Sequence, residues 1–391
     1  MSVRRRDRPG LRLVSDLELR SRRVFLRADL NVPLRDGRIA DPTRIRASHE
    51  TLAYLRERGA RVVLASHLGR PRGSVLPELS LAPVAEALGV PLLPDSVGPE
   101  VERAVESLRD GEAVLLENLR YHPEEEANHP DFAAQLAQLG EIYVNDAFGT
   151  CHRAHASTAG IVAHCKQAVA GFLLDREVST LARLRDTPEP PYVCILGGAK
   201  VSDKLSVLEA LVRKADLVIV GGAMAYTFLL ARGEEVGRSL VETDLAPAAA
   251  RLMQAGTEFL LPGDHVVADS LDEPGSARTL DRIPEGAVGL DIGPRTRSEI
   301  AARLESAATV FWNGPLGLFE TPPFDAGTRA VAESLARSSA YTVAAGGDSL
   351  AAVAAAGVAE QIDHCSTGGG ASLEFVEGRS LPGLVALEGS A

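Results

Sequence analysis

Ile195-Leu196-Gly197-Gly198-Ala199-Lys200-Val201-Ser202-Asp203-Lys204-Leu205 decides how this chain is read. The apolar run from Tyr192 to Leu196 has the length and composition of a buried strand. Gly197 and Gly198 then let the backbone turn sharply and lie close to a ligand. Val201, Leu205, Leu208 and Leu211-Val212 come next at helical spacing, so the pattern predicts a strand, a glycine turn, a lysine and a helix start. The free N–H groups and positive partial charge of a helix start suit phosphate. The lysines sharpen this reading. Of 41 basic residues only Lys166, Lys200, Lys204 and Lys214 are lysine; the rest are arginine. A compact, mobile ammonium suits a phosphoryl group in flight better than a planar fork does. The spacing is not that of a G-x-x-x-x-G-K-[ST] loop.

Outward from this stretch, strands alternate with helices. Towards the start, strands are expected over Val24–Leu30, Val62–Ala65, Ala113–Leu116 and Ile142–Val144. A helix capped by Asp41, with Pro42 at its first position, ends at Gly59. Further helices run from Ser80 to Gly89 and over Phe132–Leu139. Each strand ends in polar or charged residues, and the strands are apolar with few alternating polar positions. That is the pattern of parallel sheets covered on both faces, with sites at the strand ends. Leu173–Arg185 reads as a helix, and Thr187-Pro188-Glu189-Pro190-Pro191 ends it, so the two domains are expected to join here. The second half repeats the architecture, with strands at 192–196, 217–220, 309–312 and 341–344. Glycine turns stand at the ends of three of them: Val220-Gly221-Gly222-Ala223, Phe311-Trp312-Asn313-Gly314-Pro315 and Ala345-Gly346-Gly347-Asp348-Ser349. Gly368-Gly369-Gly370 precedes a short helix, Ala371–Val376.

The 391 residues predict two or three domains. With 45% hydrophobic and 24% charged residues the chain is a folded globular protein with sizeable cores. No apolar run approaches a membrane span. The start carries Arg4, Arg5, Arg6 and Arg8 without an apolar segment and reads as a short solvated tail. A net charge of −12 argues against general nucleic-acid binding. Cys151, Cys165, Cys194 and Cys365 form no C-x-x-C pair, which points to a reduced, cytoplasmic setting. Against this acidic background the first half gathers Arg27, Asp29, Asn31, Arg44, His67, Arg70, Arg120, His152 and Arg153 near strand ends, a basic cleft for phosphate or carboxylate. In the second half, Asp348 after two glycines suits Mg²⁺ shared with phosphates. Cys151-His152 and His164-Cys165 are adjacent pairs, unlike the spaced ligands of a structural zinc site. The G-x-S-x-G elbow and the G-x-G-x-x-G dinucleotide fingerprint are both absent.

Taken together, the motifs resemble the phosphoglycerate kinase family over about Val14 to Glu388. The likeness rests on Arg-Ala-Asp-Leu-Asn-Val-Pro (27–33), Ser-His-Leu-Gly-Arg-Pro (66–71), Glu-Asn-Leu-Arg (117–120) and Asn-Asp-Ala-Phe-Gly-Thr-Cys-His-Arg-Ala-His (145–155). It continues in Gly-Gly-Ala-Lys-Val-Ser-Asp-Lys (197–204), Trp-Asn-Gly-Pro-Leu-Gly-Leu-Phe-Glu (312–320), Gly-Gly-Asp-Ser (346–349) and Ser-Thr-Gly-Gly-Gly-Ala (366–371). The resemblance implies an α/β fold of two Rossmann-like lobes, each a parallel sheet flanked by helices, joined by a hinge helix. The expected boundaries are 1–172 for the first lobe, completed by 372–391; 173–190 for the hinge helix and linker; and 191–371 for the second lobe. It implies reversible phosphoryl transfer between 1,3-bisphosphoglycerate and ADP, with Mg²⁺, giving 3-phosphoglycerate and ATP, by a cytoplasmic monomer.

The resemblance also implies roles. Asp29 and Asn31 would hold the substrate's hydroxyl region. His67, Leu68, Gly69, Arg70, Arg120 and Arg153 would bind around its 3-phosphate, and Arg44 would face the reacting end. Lys200 would follow the transferring group and Lys204 the nucleotide phosphates. Gly198, Gly346, Gly347 and Ser349 would belong to the nucleotide turns, and Gly221 and Gly222 would line the adenine pocket. Asn313 would lie near the phosphates, Glu320 on the ribose and Asp348 on the metal. Gly369 and Gly370 would offer N–H groups to the phosphoryl group. Cys151, Ala345 and Ser349 depart from the residues usual in the family. In the ATP-consuming direction the nucleophile is an already ionised carboxylate, so no general base is required. Two other classes remain open on the sequence: another Rossmann-type enzyme such as a dehydrogenase, and a two-lobed anion-binding protein without turnover.

Overall fold

The computed structural model describes residues 11–389, so the Arg-rich tail lies outside the described residues. The chain divides into two compact units. One runs to Thr180 and is completed from Ser380 onward; the other is Leu181–Arg379.

The first unit is built on five parallel strands. In chain order it contains β1 (Arg23–Ala28), a small hairpin of β2 (Leu34–Arg35) and β3 (Arg38–Ile39), then β4 (Arg61–Ala65), β5 (Ala113–Leu115), β6 (Ile142–Asp146) and β7 (Ala168–Ala170). The sheet order is β5-β4-β1-β6-β7. The order therefore reverses on either side of β1, and the crevice at such a reversal is where open α/β sheets take their ligands. Asp29 and Asn31 lie just past the end of β1. The strands are buried almost throughout, which is why they read as apolar runs rather than alternating ones.

The second unit holds a six-stranded parallel sheet of β8 (Tyr192–Leu196), β9 (Leu217–Val220), β10 (Glu258–Leu260), β14 (Thr309–Asn313), β15 (Tyr341–Ala345) and β16 (His364–Ser366), in the order β10-β9-β8-β14-β15-β16. The reversal lies at β8, between β9 and β14, and the glycine–lysine stretch 197–204 begins at the end of that strand. A separate antiparallel sheet of β11 (His265–Ala268), β12 (Arg278–Leu280) and β13 (Val288–Ile292) is inserted before β14. Little in the sequence signals it: β12 is mostly exposed and carries no apolar alternation. Trp312 is wholly buried in the main core, and its indole N–H donates to Gly314 O at 2.8 Å.

The division between units falls inside the helix Phe172–Asp186, within the expected hinge segment 173–190. The second unit runs on past 371. The helix Gly370–Glu377 stays with the second unit because it packs on the helix Leu205–Leu211. The helix after the glycine turn also starts later than its apolar spacing suggests, at Leu205 instead of Val201. Ser202 bonds elsewhere through both its N–H and its hydroxyl, so the intervening residues form a turn.

Each end of the helix Phe172–Asp186 is fixed within its own unit. At the start, Asp146 Oδ1 accepts from the N–H groups of Leu173 (2.9 Å) and Leu174 (3.2 Å), while Thr51 Oγ1 accepts from that of Phe172 (3.0 Å). Gly171 admits this approach: a Cβ there would lie 2.2 Å from Asp146 Oδ1. Burial raises the Asp146 carboxyl to about 6. At the end, Lys214 Nζ donates to Arg185 O, and the guanidinium groups of Arg183 and Arg185 lie 4.1 and 4.4 Å from the ring centres of Tyr341 and Phe375. Asp146→Ala leaves two buried N–H groups unpaired, an expected loss of about 1–3 kcal/mol each at most. The thermal midpoint should fall by several degrees; an unchanged midpoint contradicts this role for Asp146.

Candidate active site

In the first unit the predicted cations converge beneath the ends of β1 and β4. Arg27 is fully buried. Its Nε donates to Ser157 Oγ at 2.8 Å and its Nη2 to His67 Nδ1 at 3.2 Å. An arginine donates only, so His67 Nδ1 accepts and Nε2 carries the ring proton. Burial, reinforced by Arg27, Arg120 and Arg44, holds the His67 ring well below its ordinary value, and it is neutral at physiological pH. Glu125, also fully buried, accepts from Ser157 through both carboxylate oxygens, at 2.6 and 2.9 Å. Burial raises its carboxyl, opposed mainly by Arg27.

The remaining residues stand around this knot. Arg44 is paired with the buried Asp29 carboxylate. Asn31 Oδ1 accepts from Gly69 N–H at 2.9 Å, and Arg120 Nη1 donates to Gly69 O at 2.8 Å. Asn118 accepts from Leu68 N–H and donates to Leu68 O. Arg153 donates to His152 Nε2, and its charge bears on Arg120 together with that of Arg27. Arg70 is exposed, with no hydrogen-bond or ion-pair partner among the described residues. A cavity of about 800 Å³ opens here, lined by Asn31, Val32, Arg44, Leu68, Gly69 and Leu79 among others. His67, Arg120 and Arg153 do not line it.

Arg27 is not in the open cleft that its place near a strand end suggests. It lies instead under the site, where it fixes the His67 ring. Glu125 stands among three consecutive glutamates, and its partner Ser157 lies 32 positions further on, so no local pattern marks it. Its signal was Arg27 itself: a charge inside an apolar strand needs a buried partner nearby.

In the second unit three glycine turns meet at the reversal point. A Cβ on Gly197 would fall 2.0 Å from Pro315 O, and one on Gly222 would fall 2.7 Å from Gly198 O. Gly314 adopts φ +97°, and a Cβ there would lie 2.2 Å from Gly197 O. Lys204 ties these turns together. Its Nζ donates to Gly197 O (2.5 Å), Asn313 O (2.8 Å) and Asn313 Oδ1 (2.6 Å). Three acceptors use all three hydrogens of the ammonium. Burial lowers Lys204 to about 8, opposed by Asp348.

Around this cluster, Asn313 Nδ2 donates to Ala345 O at 2.7 Å, and Gly314 N–H donates to Ser349 Oγ at 2.5 Å. Gly221 faces Leu316, and a Cβ on Gly346 would meet Asn313 Nδ2 at 2.8 Å. Gly347 opens the helix Gly347–Ala355, with the exposed Asp348 in its first turn. Gly369, at φ +56°, and Gly370 open the helix Gly370–Glu377, with free space around both α-carbons. Lys200 is exposed and makes no hydrogen bond or ion pair among the described residues. Glu320 is also exposed, and no hydrogen bond joins it to this cluster. The two lysines thus differ sharply. Lys204 gives its three hydrogens to protein oxygens, and Lys200 gives none among the described residues.

The phosphoglycerate kinase family matches residues 14–379. The chain belongs to the phosphoglycerate kinase family. A phosphoglycerate kinase of Moorella thermoacetica is 54% identical over 386 residues, covering 96% of this chain and 98% of that protein. One of Solibacter usitatus is 51% identical over 387 residues, with the same coverage of both chains. Among solved structures, the Coxiella burnetii phosphoglycerate kinase superposes with a TM-score of 0.87 at 40% identity, covering 97% of this chain and 99% of that one. The Pyrococcus horikoshii phosphoglycerate kinase gives 0.85 at 32% identity, covering 96% and 98%. The family's reaction, reversible phosphoryl transfer between 1,3-bisphosphoglycerate and ADP in glycolysis, is this chain's reaction. Family membership excludes the dehydrogenase and non-catalytic alternatives.

Lys204 offers a test of the turn cluster. Unfolded, the amine titrates near 10.5; folded, near 8. Between these values the unfolded chain binds the extra proton, so stability rises with pH. Relative to Lys204→Met, the wild type should gain up to about 3 kcal/mol between pH 8 and pH 10.5. Denaturant unfolding of both proteins across that range measures it. A constant difference contradicts burial of this ammonium.

Proposed function

We propose that the first unit binds the phosphoglycerate and the second binds the nucleotide. His67, Arg70, Arg120 and Arg153 take the 3-phosphate, with Leu68 and Gly69 forming the adjoining turn. Asp29 and Asn31 hold the hydroxyl region, and Arg44 serves the reacting carboxyl end. The neutral His67 ring donates from Nε2, a direction set by Arg27. On the nucleotide side, Gly198, Gly221, Gly222, Asn313, Gly346, Gly347 and Ser349 form the bed, Glu320 takes the ribose, and Gly369 and Gly370 offer N–H groups to the phosphoryl group. Lys204 braces this bed and lends it charge, while Lys200 follows the group in transit. The observation that supports these separate roles is the contrast between the lysines: one half-buried with every hydrogen engaged, the other exposed and without a bond among the described residues.

The chemistry is positioning and charge stabilisation. The carboxylate nucleophile is ionised at neutral pH and needs no base. Arg44, Lys200 and the N–H groups near Gly369 and Gly370 place positive charge around the migrating group. Asp348 fits Mg²⁺. It is an exposed, hard carboxylate donor at a turn, and Mg²⁺ binds through one or two carboxylates together with substrate phosphates. The ion supplies charge neutralisation to those phosphates. No described helix is long and apolar enough to cross a membrane. We further read the enzyme as a cytoplasmic monomer that does not bind nucleic acid, in keeping with its net charge of −12.

A coupled assay with 3-phosphoglycerate and MgATP tests the whole assignment. Arg44→Ala should reduce turnover on the order of 100-fold while 3-phosphoglycerate binding changes little; near-normal turnover removes Arg44 from the reacting end. Asp348→Ala should weaken MgADP binding and spare 3-phosphoglycerate binding in separate calorimetric titrations. Equal losses for both ligands contradict the division of roles.

A further inference from the structure

The Lys200 side chain makes no bond among the described residues, yet the backbone that carries it is fixed on both sides by one helix. On one side, Gly198 O accepts from Met224 N–H at 3.0 Å, and Met224 opens the helix Met224–Ala231. On the other, the Glu242 carboxylate accepts from Ser202 N–H at 3.0 Å and from Ser202 Oγ at 2.6 Å. Glu242 is in turn held by its own N–H, which donates to Thr227 Oγ1 at 3.0 Å. Thr227 is buried on that same helix. Lys200 therefore sits midway between two attachments to one rigid element, two residues from each.

We propose that Glu242 is a positioning residue for Lys200: it clamps Ser202 and thereby sets where the mobile ammonium begins. This rests on the assignment of Lys200 to the transferring group. A long side chain with four rotatable bonds reaches a migrating phosphoryl group reproducibly only from a fixed root. A carboxylate is suited to the clamp because it accepts two bonds from one residue at once. Partial burial of Glu242, which alone would raise its carboxyl, is outweighed by the bonds from Ser202 and Val201 and by the charge of Lys200. It is thus ionised throughout the working range.

The test is a kinetic cycle on the full chain. Glu242→Ala should lower kcat by about tenfold with little change in the KM for 3-phosphoglycerate, because a misplaced catalytic group costs rate more than binding. Glu242→Gln, which keeps an oxygen for Ser202 N–H, should recover most of the loss. In a Lys200→Ala background the Glu242→Ala substitution should cost almost nothing further, since its effect runs through Lys200. A full additional loss there, or unchanged turnover in the single variant, overturns the proposal. If Glu242→Ala does not fold, Ser202→Ala carries the same cycle by removing one of the two bonds, and the same two outcomes decide. Wild-type turnover in Lys200→Ala would instead overturn the assignment of Lys200, and this proposal with it.

Discussion

Lys204 holds three oxygen atoms that belong to the ends of two strands, and the second unit's site is shaped by that fact. Gly197 O and Asn313 O are backbone acceptors turned towards one point, and Asn313 Oδ1 is a third. Asn313 O also accepts from Gly197 N–H at 3.0 Å, whereas Gly197 O and Asn313 Oδ1, left unpaired and half-buried, would each cost free energy. One ammonium satisfies all three and draws the turns after β8 and β14 together. The close approach leaves no room for a Cβ on Gly197 or Gly314. Asn313 then spends its amide on Ala345 O, which brings in the turn after β15. The order of strands places these ends side by side; the lysine fixes them.

The first unit meets the opposite difficulty, too many cations in a small space. It is solved by keeping His67 and His155 neutral and by burying one acid among the arginines. His155 is depressed to about 3 by burial and by Arg120 and Arg27. Glu125 receives Ser157, and Ser157 receives Arg27, so the fully buried guanidinium faces a hydrogen-bonded chain that ends in a carboxylate. Arg70 is exposed and takes no part in this network among the described residues.

Much of this was legible in the sequence. β8, β9, β14 and β15 lie within a residue of where their apolar runs place them, because strands covered on both faces leave an unbroken apolar signature. The glycine turns were legible as well, since positive φ and close contact both demand glycine. The features that escaped were set by long-range partners. The antiparallel sheet of β11, β12 and β13 is short and partly exposed, with no strong periodicity. The late start of the helix at Leu205 depends on Glu242, forty positions from Ser202 along the chain. The engagement of Lys204 by Asn313 spans still more of the chain, so local pattern carries no sign that its ammonium is held by protein oxygens while that of Lys200 stands exposed.

The proposed division gives each sheet reversal a binding chemistry of its own. Amide hydrogen exchange of the whole chain, with one ligand at a time, tests it most directly. With 3-phosphoglycerate alone, protection should rise around 29–31, 66–70 and 118–121. With MgADP alone, it should rise around 197–204, 220–223, 313–316 and 346–349. Either ligand alone protecting both sets to the same degree, or the two patterns exchanged, would contradict the account.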